Sequence, residues 1–258
     1  MSSSAAPSKW HDLARRTVSA LVLGGLALAA LLRGGVAWSL FVLALVGILS
    51  SEWATLARQL HPGQRPVFFS LGQRPIFFSL GPRPIFLALG LPYIALPAAA
   101  LLWLRHRATT GRDDVLLLLI IVWATDIGGY LAGRAIGGPR LAPRISPGKT
   151  ISGAIGGLLA AILTACLFTL IIAPHSPIPI LAHIALIAAL LSIASALGDL
   201  LESGWKRALG VKDSGRAIPG HGGAFDRLDG LLLAAPLAAL LTLIGAGTAH
   251  GLGFAPWL

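Results

Sequence analysis

Charge is scarce in this chain: Asp, Glu, Lys and Arg make up 12% of its 258 residues, against about 25% in soluble domains. With repeated long apolar runs and a mean hydropathy of +0.80, that scarcity excludes an ordinary soluble domain and argues for a polytopic membrane protein. Cysteine is nearly absent. The single Cys166 excludes an intrachain disulfide and a Cys-based zinc site, and within an apolar run it reads as a small buried residue. Alternation is lacking too, since the apolar runs are continuous and rich in Leu and Ala, which excludes a membrane β-barrel. Among the charged residues acid is the scarcer sign, with 10 Asp and Glu against 20 Lys and Arg and a net charge of +10. This basic balance reads as positive-inside topology and contact with membrane lipids of negative charge. The cations are scattered between spans, not striped with aromatics along one face, so no nucleic-acid partner is expected. There is no HExxH motif, and His11, His61, His106, His175, His183 and His250 sit in no ligand-like spacing.

The fold class expected is all-α, an integral membrane helical bundle of about seven to nine transmembrane helices. The apolar runs are 17–32, 34–50, 84–103, 115–132, 153–173, 180–197 and 231–247, each near the length that a span requires. Basic residues before the first short run resemble a signal peptide, but a second run follows almost at once, so a retained hairpin is expected. Between 63 and 89 the chain repeats GQRPVFFSL, GQRPIFFSL, GPRPIFLAL. A nine-residue period is too short for a solenoid unit and suits an interfacial segment with snorkelling Arg side chains. It could add two spans. We divide the chain into 1–112, holding the hairpin, the repeat and the following span, and 113–258, a catalytic membrane domain. The segment 131–150, read as a loop, carries Arg134, Arg140, Arg144 and Lys149, and the loop 198–229 carries five Lys or Arg residues; the linker 174–179 carries none. Both basic loops are therefore expected on the cytoplasmic face of a bacterial inner (cell) membrane. The segment 105–112 falls outside in this count despite three Arg residues.

Within 195–230 the composition changes. Five of the ten acids (Asp199, Glu202, Asp213, Asp226, Asp229) lie there among Lys206, Arg207, Lys212, Arg216 and Arg227. Asp199, Glu202, Ser203 and Lys206 share one face of a helix continuing the 180–197 span. A carboxylate at the membrane boundary facing a polar cavity is functional by default; a solvated helix end with an ion pair is the plainer alternative. The turn-rich run Pro219-Gly220-His221-Gly222-Gly223 brings backbone close to a ligand, and its N–H groups can cradle phosphate. Asp226 and Asp229 then open the last span. Hard oxygen ligands among basic neighbours suit Mg²⁺ holding a nucleotide phosphate, although an Asp there could merely cap the helix. Asp126 lies late in an apolar span and should face the bundle interior. Gly148-Lys149-Thr150 resembles the end of a P-loop, but Pro143 stands where its first glycine belongs, so that motif fails.

From Ser203 through Lys206, Arg207, Lys212, Asp213 and the Pro219–Gly223 run to Asp226, Arg227 and Asp229, the chain resembles the signature of the phosphatidate cytidylyltransferase (CDP-diacylglycerol synthase) family. Gly198 to Ser203, Asp126 with Tyr130, and Ser146-Pro147 with Lys149-Thr150 are similar to other motifs of that family, in the same order, so the resemblance covers roughly 120–245. Two positions depart: Gly148 stands in place of the family's first Lys and Ser152 in place of its Glu, and contacts made by those two positions are not carried over. The resemblance implies transfer of CMP from CTP to phosphatidate, giving CDP-diacylglycerol and pyrophosphate. It implies Mg²⁺ on Asp199 and Asp226 with Asp229 in support, and leaves a second cation open. Lys206, Arg207, Lys212 and Arg227 would hold phosphates or the leaving pyrophosphate, and His221 would orient phosphate through its loop. Asp126, Ser146, Lys149, Thr150, Glu202, Ser203, Asp213, Gly220, Gly222 and Gly223 complete the expected substrate-binding set. A homodimer stays open. The rival readings are the same chemistry on another lipid phosphate, a CTP-dependent lipid kinase, and a transporter.

Overall fold

The protein is described by a computed structural model, which covers residues 9–60, 69–71, 74–76, 83–215, 217–218 and 222–246. Among these residues are seven helices: α1 (Lys9–Arg33), α2 (Gly35–Arg58), α3 (Arg83–Arg105), α4 (Gly111–Ile136), α5 (Ile151–Ile172), α6 (Ile178–Ala208) and α7 (Phe225–Ala246). Each coincides with one expected apolar run. Six of them, α2 to α7, are long and apolar enough to cross a membrane. In α1 the described apolar stretch is the shorter Leu21–Arg33. The chain is thus an all-α integral membrane protein. Backbone polar groups cannot be left unpaired in hydrocarbon, and uninterrupted helices satisfy them within each span.

The helices keep their widest apolar faces outward. Val36, Leu91, Leu163, Ile171 and Ile178 are all at least two-thirds exposed, as lipid-facing side chains should be. Inside, Leu31, Leu104, Leu117, Leu118, Ile121, Ile184 and Leu191 are fully buried and bring α1, α3, α4 and α6 together. The turn between α1 and α2 uses Gly34 at φ +67°, and the Arg105 guanidinium fills the space a side chain there would need. Arg105 Nε donates to the Leu31 carbonyl at 2.8 Å, tying α3 to that turn. On the same end of the bundle, Arg107 pairs with Asp114 at 2.8 Å and Arg112 with Asp113 at 3.0 Å. Arg107 and Arg112 are therefore each paired with an acid in the first turn of α4, and Arg105 with a carbonyl of α1.

α4 and α5 meet along glycine. A Cβ at Gly157 would lie 2.6 Å from the Thr125 carbonyl, and one at Gly153 would lie 2.8 Å from that of Gly129. Small residues let two membrane helices approach closely where no hydrophobic force separates protein from lipid. Part of the connection read as loop is ordered differently: α4 runs on to Ile136, and β3 (Arg140–Ala142) and β4 (Ser146–Thr150) then form an antiparallel hairpin. Within the nine-residue repeat, β1 (Phe69–Leu71) and β2 (Arg74–Ile76) also pair antiparallel; the third unit enters α3 from Arg83, where Phe86 is fully buried, and the repeat's other residues lie outside the described ones.

α6 is the longest element, at 31 residues. At 1.5 Å per residue it measures about 46 Å, well beyond the ~30 Å hydrocarbon core. Its last turns therefore project from the membrane, carrying the charged face that the spacing predicts. Trp205, near that end, packs edge-on against Trp53 (4.8 Å) and Tyr93 (4.5 Å), while Trp53 stacks on Phe86 at 4.3 Å. These rings bind α2, α3 and α6 at the end where the charges collect, each pair contributing about 1 kcal/mol beyond burial.

Candidate active site

The projecting end of α6 gathers most of the expected residues. Ser203 Oγ donates to Asp199 Oδ1 at 3.3 Å, and Lys149 of β4 forms an ion pair with Asp199 Oδ2. Arg207 Nε, donating to the Ile145 carbonyl at 3.3 Å, fastens the β3–β4 hairpin to the same helix. Glu202 is buried, with Lys206 Nζ 3.2 Å from its Oε1 as an ion pair not aligned as a hydrogen bond. The shorter contact of Lys206 is to Asp226 Oδ1, at 2.6 Å. One ammonium thus lies between acids of α6 and α7.

Asp226, in the first turn of α7, turns its other oxygen back to the preceding loop. Asp226 Oδ2 accepts from Ser214 N at 3.0 Å, Ser214 Oγ at 3.1 Å and Gly223 N at 2.9 Å. This is a helix-capping geometry, and it means an ion at Asp226 would have to displace Lys206 or the loop. Gly222 sits at φ +85°, and a Cβ there would lie 3.1 Å from Asp226 Oδ2, so backbone conformation and space both call for glycine. Asp229, one turn further, accepts from Gly230 N at 2.7 Å and lies within electrostatic reach of Asp199, Asp126 and Glu202. Lys212, Asp213, Arg207 and Arg227 are exposed around the loop and helix ends. Arg216, Gly220 and His221 lie outside the described residues.

Beside this clamp, a cavity of about 1190 Å³ opens between α4, α5, α6 and the hairpin. Its walls include Ile155, Leu158, Ile193 and Leu197; its polar lining includes Asp126, Arg134, Arg140, Arg144, Lys149 and Asp199. Arg134 Nη1 donates to Tyr130 Oη at 2.9 Å. An apolar chamber with convergent charges is the form a ligand site takes. Thr150 lines the cavity, but its hydroxyl caps α5, accepting from Gly153 N at 3.0 Å. Ser146 lies on β4 and is not part of the cavity lining.

The residues fit a magnesium ion in chemistry, and in a particular way. Among the described residues no three His, Cys, Asp or Glu side chains converge as a ready-made cage. Mg²⁺ beside a nucleotide needs only one or two carboxylates, with water and substrate phosphate completing its octahedron. Asp199, with Asp126 and Asp229 in electrostatic reach, supplies that kind of donor.

Two residues not singled out as site candidates stand in the clamp. Ser214 is one. The other is Glu52 of α2, whose Oε1 accepts from Ala224 N at 2.9 Å and whose Oε2 accepts from Phe225 N at 3.1 Å and Ser214 Oγ at 3.3 Å. A buried acid on a membrane helix is a signal in itself, but Glu52 falls just past the expected end of its apolar run and reads as a boundary.

The profile of the cytidylyltransferase family matches residues 76–244, more than half of the chain. The phosphatidate cytidylyltransferase of Brucella suis is 41% identical over 156 residues, covering 60% of this chain and 54% of that protein. That of Staphylococcus epidermidis is 39% identical over 150 residues, covering 58% and 56%. The chain thus spans about half the length of the curated relatives it matches. With the profile lying across α3 to α7, which hold the cavity lining and the Lys206–Asp226 pair, the chain belongs to the cytidylyltransferase family.

Proposed function

We propose that this protein transfers CMP from CTP to phosphatidate, releasing pyrophosphate and forming CDP-diacylglycerol, with its site on the cytoplasmic face of a bacterial inner membrane. The observation that carries the reading is the junction of two different environments. A lipid-sized chamber with apolar walls meets Asp126, Lys149 and Asp199, and Asp199 leads along α6 to the clamp of Glu202, Lys206 and Asp226. The relatives named phosphatidate cytidylyltransferase support the substrate pair. The crowding of Arg134, Arg140, Arg144, Lys149, Lys206, Arg207 and Lys212 at one end supports its cytoplasmic placement.

In this reading a phosphate oxygen of phosphatidate attacks the α-phosphorus of CTP, and the bond from that phosphorus to the β-phosphate oxygen breaks. The nucleophile is already an anion, so no protein base is required. Catalysis rests on holding two polyanions in line and offsetting charge as it develops. Arg134, Arg140, Arg144 and Lys149 would hold the lipid phosphate at the cavity. Arg207, Lys212 and Arg227 would take the triphosphate and the departing pyrophosphate. Lys206, fixed between Glu202 and Asp226, keeps the loop and α6 in register. Asp199, with Asp126 or Asp229, would hold Mg²⁺, which supplies Lewis-acid polarisation of the phosphates.

The test is to incubate the purified chain in detergent micelles with phosphatidate, Mg²⁺ and labelled CTP. Label from the α-phosphate should enter the lipid, with one pyrophosphate released per turnover. Label from the γ-phosphate in lipid would instead mark a kinase. Solute flux into sealed vesicles without CTP turnover would mark a transporter.

A further inference from the structure

We propose that Glu52 is a positioning residue for the transfer site, holding the loop before α7 and the first turn of α7 in place from the other side of the bundle. The proposal rests on the functional reading above. Ala224 and Phe225 stand at the start of α7, where backbone N–H groups have no partner within the helix. A side chain of the preceding loop ordinarily satisfies them. Here the carboxylate of α2 does so, taking Ala224 N on one oxygen and Phe225 N on the other, across 172 and 173 residues of sequence. The negative charge also lies at the positive end of the helix dipole, where an anion is stabilised.

The loop is shaped to receive it. A Cβ at Gly215 would lie 2.6 Å from Glu52 Oε1, and one at Gly223 would lie 2.9 Å from Oε2. Any larger residue would push the loop backbone off the carboxylate. Ser214 then links Glu52 to the clamp, its hydroxyl lying 3.3 Å from Glu52 Oε2 and 3.1 Å from Asp226 Oδ2. One hydroxyl proton serves one acceptor at a time, so Glu52 and Asp226 compete for it while both hold the loop through backbone N–H groups. The sequence of contacts runs Glu52, Ser214, Asp226, Lys206, Glu202, from α2 through the loop to α7 and α6. Glu52 is not part of the cavity lining. Its effect on the reaction must therefore pass through the placement of Asp226 and Lys206.

The test compares Glu52→Ala and Glu52→Gln with the parent chain, measuring kcat and KM for CTP and backbone hydrogen exchange. Misplacing a reacting arrangement by about 1 Å from a distant position costs up to about 100-fold. Glu52→Ala should lower kcat/KM for CTP by that factor. Glu52→Gln, which keeps one acceptor and turns an amide toward a donor, should recover part of the loss. Exchange should quicken in peptides holding Ser214 and 222–226, and stay unchanged along α4 and α5. Should Glu52→Ala fail to fold, Ser214→Ala takes its place, with the same local exchange and a smaller loss. Unchanged kcat/KM in an active parent background would overturn the proposal. So would exchange that rises equally in every helix, since that marks a general structural role. An inactive parent would overturn the functional reading alone, the exchange measurement then deciding whether Glu52 holds the loop.

Discussion

Lys149 on β4 and Asp199 on α6 form an ion pair within the lining of the cavity, and each side chain keeps about a quarter to a third of its surface exposed. The pair joins the hairpin to the helix that carries the clamp, and sets the only described lysine of the cavity against its acids. Lys149→Ala should lower kcat/KM about 10²- to 10³-fold, the usual cost of removing one group that stabilises developing charge. Lys149→Arg should retain more activity than Lys149→Ala. Steady-state kinetics with phosphatidate in mixed micelles checks both, and an alanine variant within twofold of the parent would contradict the assignment.

Lys206 and Asp226 are nearly buried, so removing one leaves Lys206 with only its longer contact to Glu202, or Asp226 with only its loop donors. Breaking such a pair costs about 3 kcal/mol. Asp226→Asn and Lys206→Ala should each lower Tm in detergent and reduce turnover at least about 100-fold by displacing the loop. Because they share their shortest contact, the double variant should lose less than the sum of the two single ones. Additive losses in a double-mutant cycle would show that the two side chains work separately.

Gly198 faces α7. A Cβ there would collide with the Asp229 carbonyl oxygen and lie 3.3 Å from Gly230 Cα. Gly198→Ala should therefore part α6 from α7, costing about 1–3 kcal/mol of stability and misplacing Asp199 relative to Asp229. Gly47, on α2, has nothing within 4 Å of the same construction. Gly47→Ala should leave activity unchanged and raise stability slightly through helix propensity. Thermal unfolding alongside activity separates the two.

Chelation by EDTA should stop CDP-diacylglycerol formation, and added Mg²⁺ should restore it. Asp199→Asn should raise the Mg²⁺ concentration needed for half-maximal rate by roughly tenfold or more, the scale expected when a metal carboxylate is neutralised. An unshifted Mg²⁺ curve in that variant would place the ion elsewhere.

The orientation is open to direct labelling. In a Cys166→Ser background, His175→Cys on the α5–α6 link should react with an impermeant maleimide in intact cells. Gly148→Cys, on β4 at the other end of the bundle, should react only after permeabilisation. The reverse pattern would put the site on the wrong side of the membrane for CTP.

The helices were legible because a membrane span needs a long apolar run and nothing else competes for such a sequence. The charged face of α6 was legible for the same reason of period: Asp199, Glu202 and Lys206 at i, i+3 and i+7 leave little choice. The hairpin of β3 and β4 was not. Its strands are three and five residues long, and Pro147 and Gly148 are read as turn residues by any propensity argument. The engagement of Asp226 by Lys206 was hidden because side chains from two helices meet only after packing. Thr150 differs in kind: its hydroxyl caps its own helix three residues on, a local pattern, while the residue also lines the cavity. Glu52 was the least legible, since a contact with residues 162 to 173 positions away leaves no local pattern.

That separation governs when the molecule can become complete during synthesis. Glu52 enters the membrane with α2, yet its hydrogen-bond donors on Ser214, Ala224 and Phe225 are not translated until after α6. A nascent chain arrested after α6 would hold a carboxylate at the membrane boundary with no donor to meet it. The loop after α6 and the first turn of α7 are thus what close the structure around that acid.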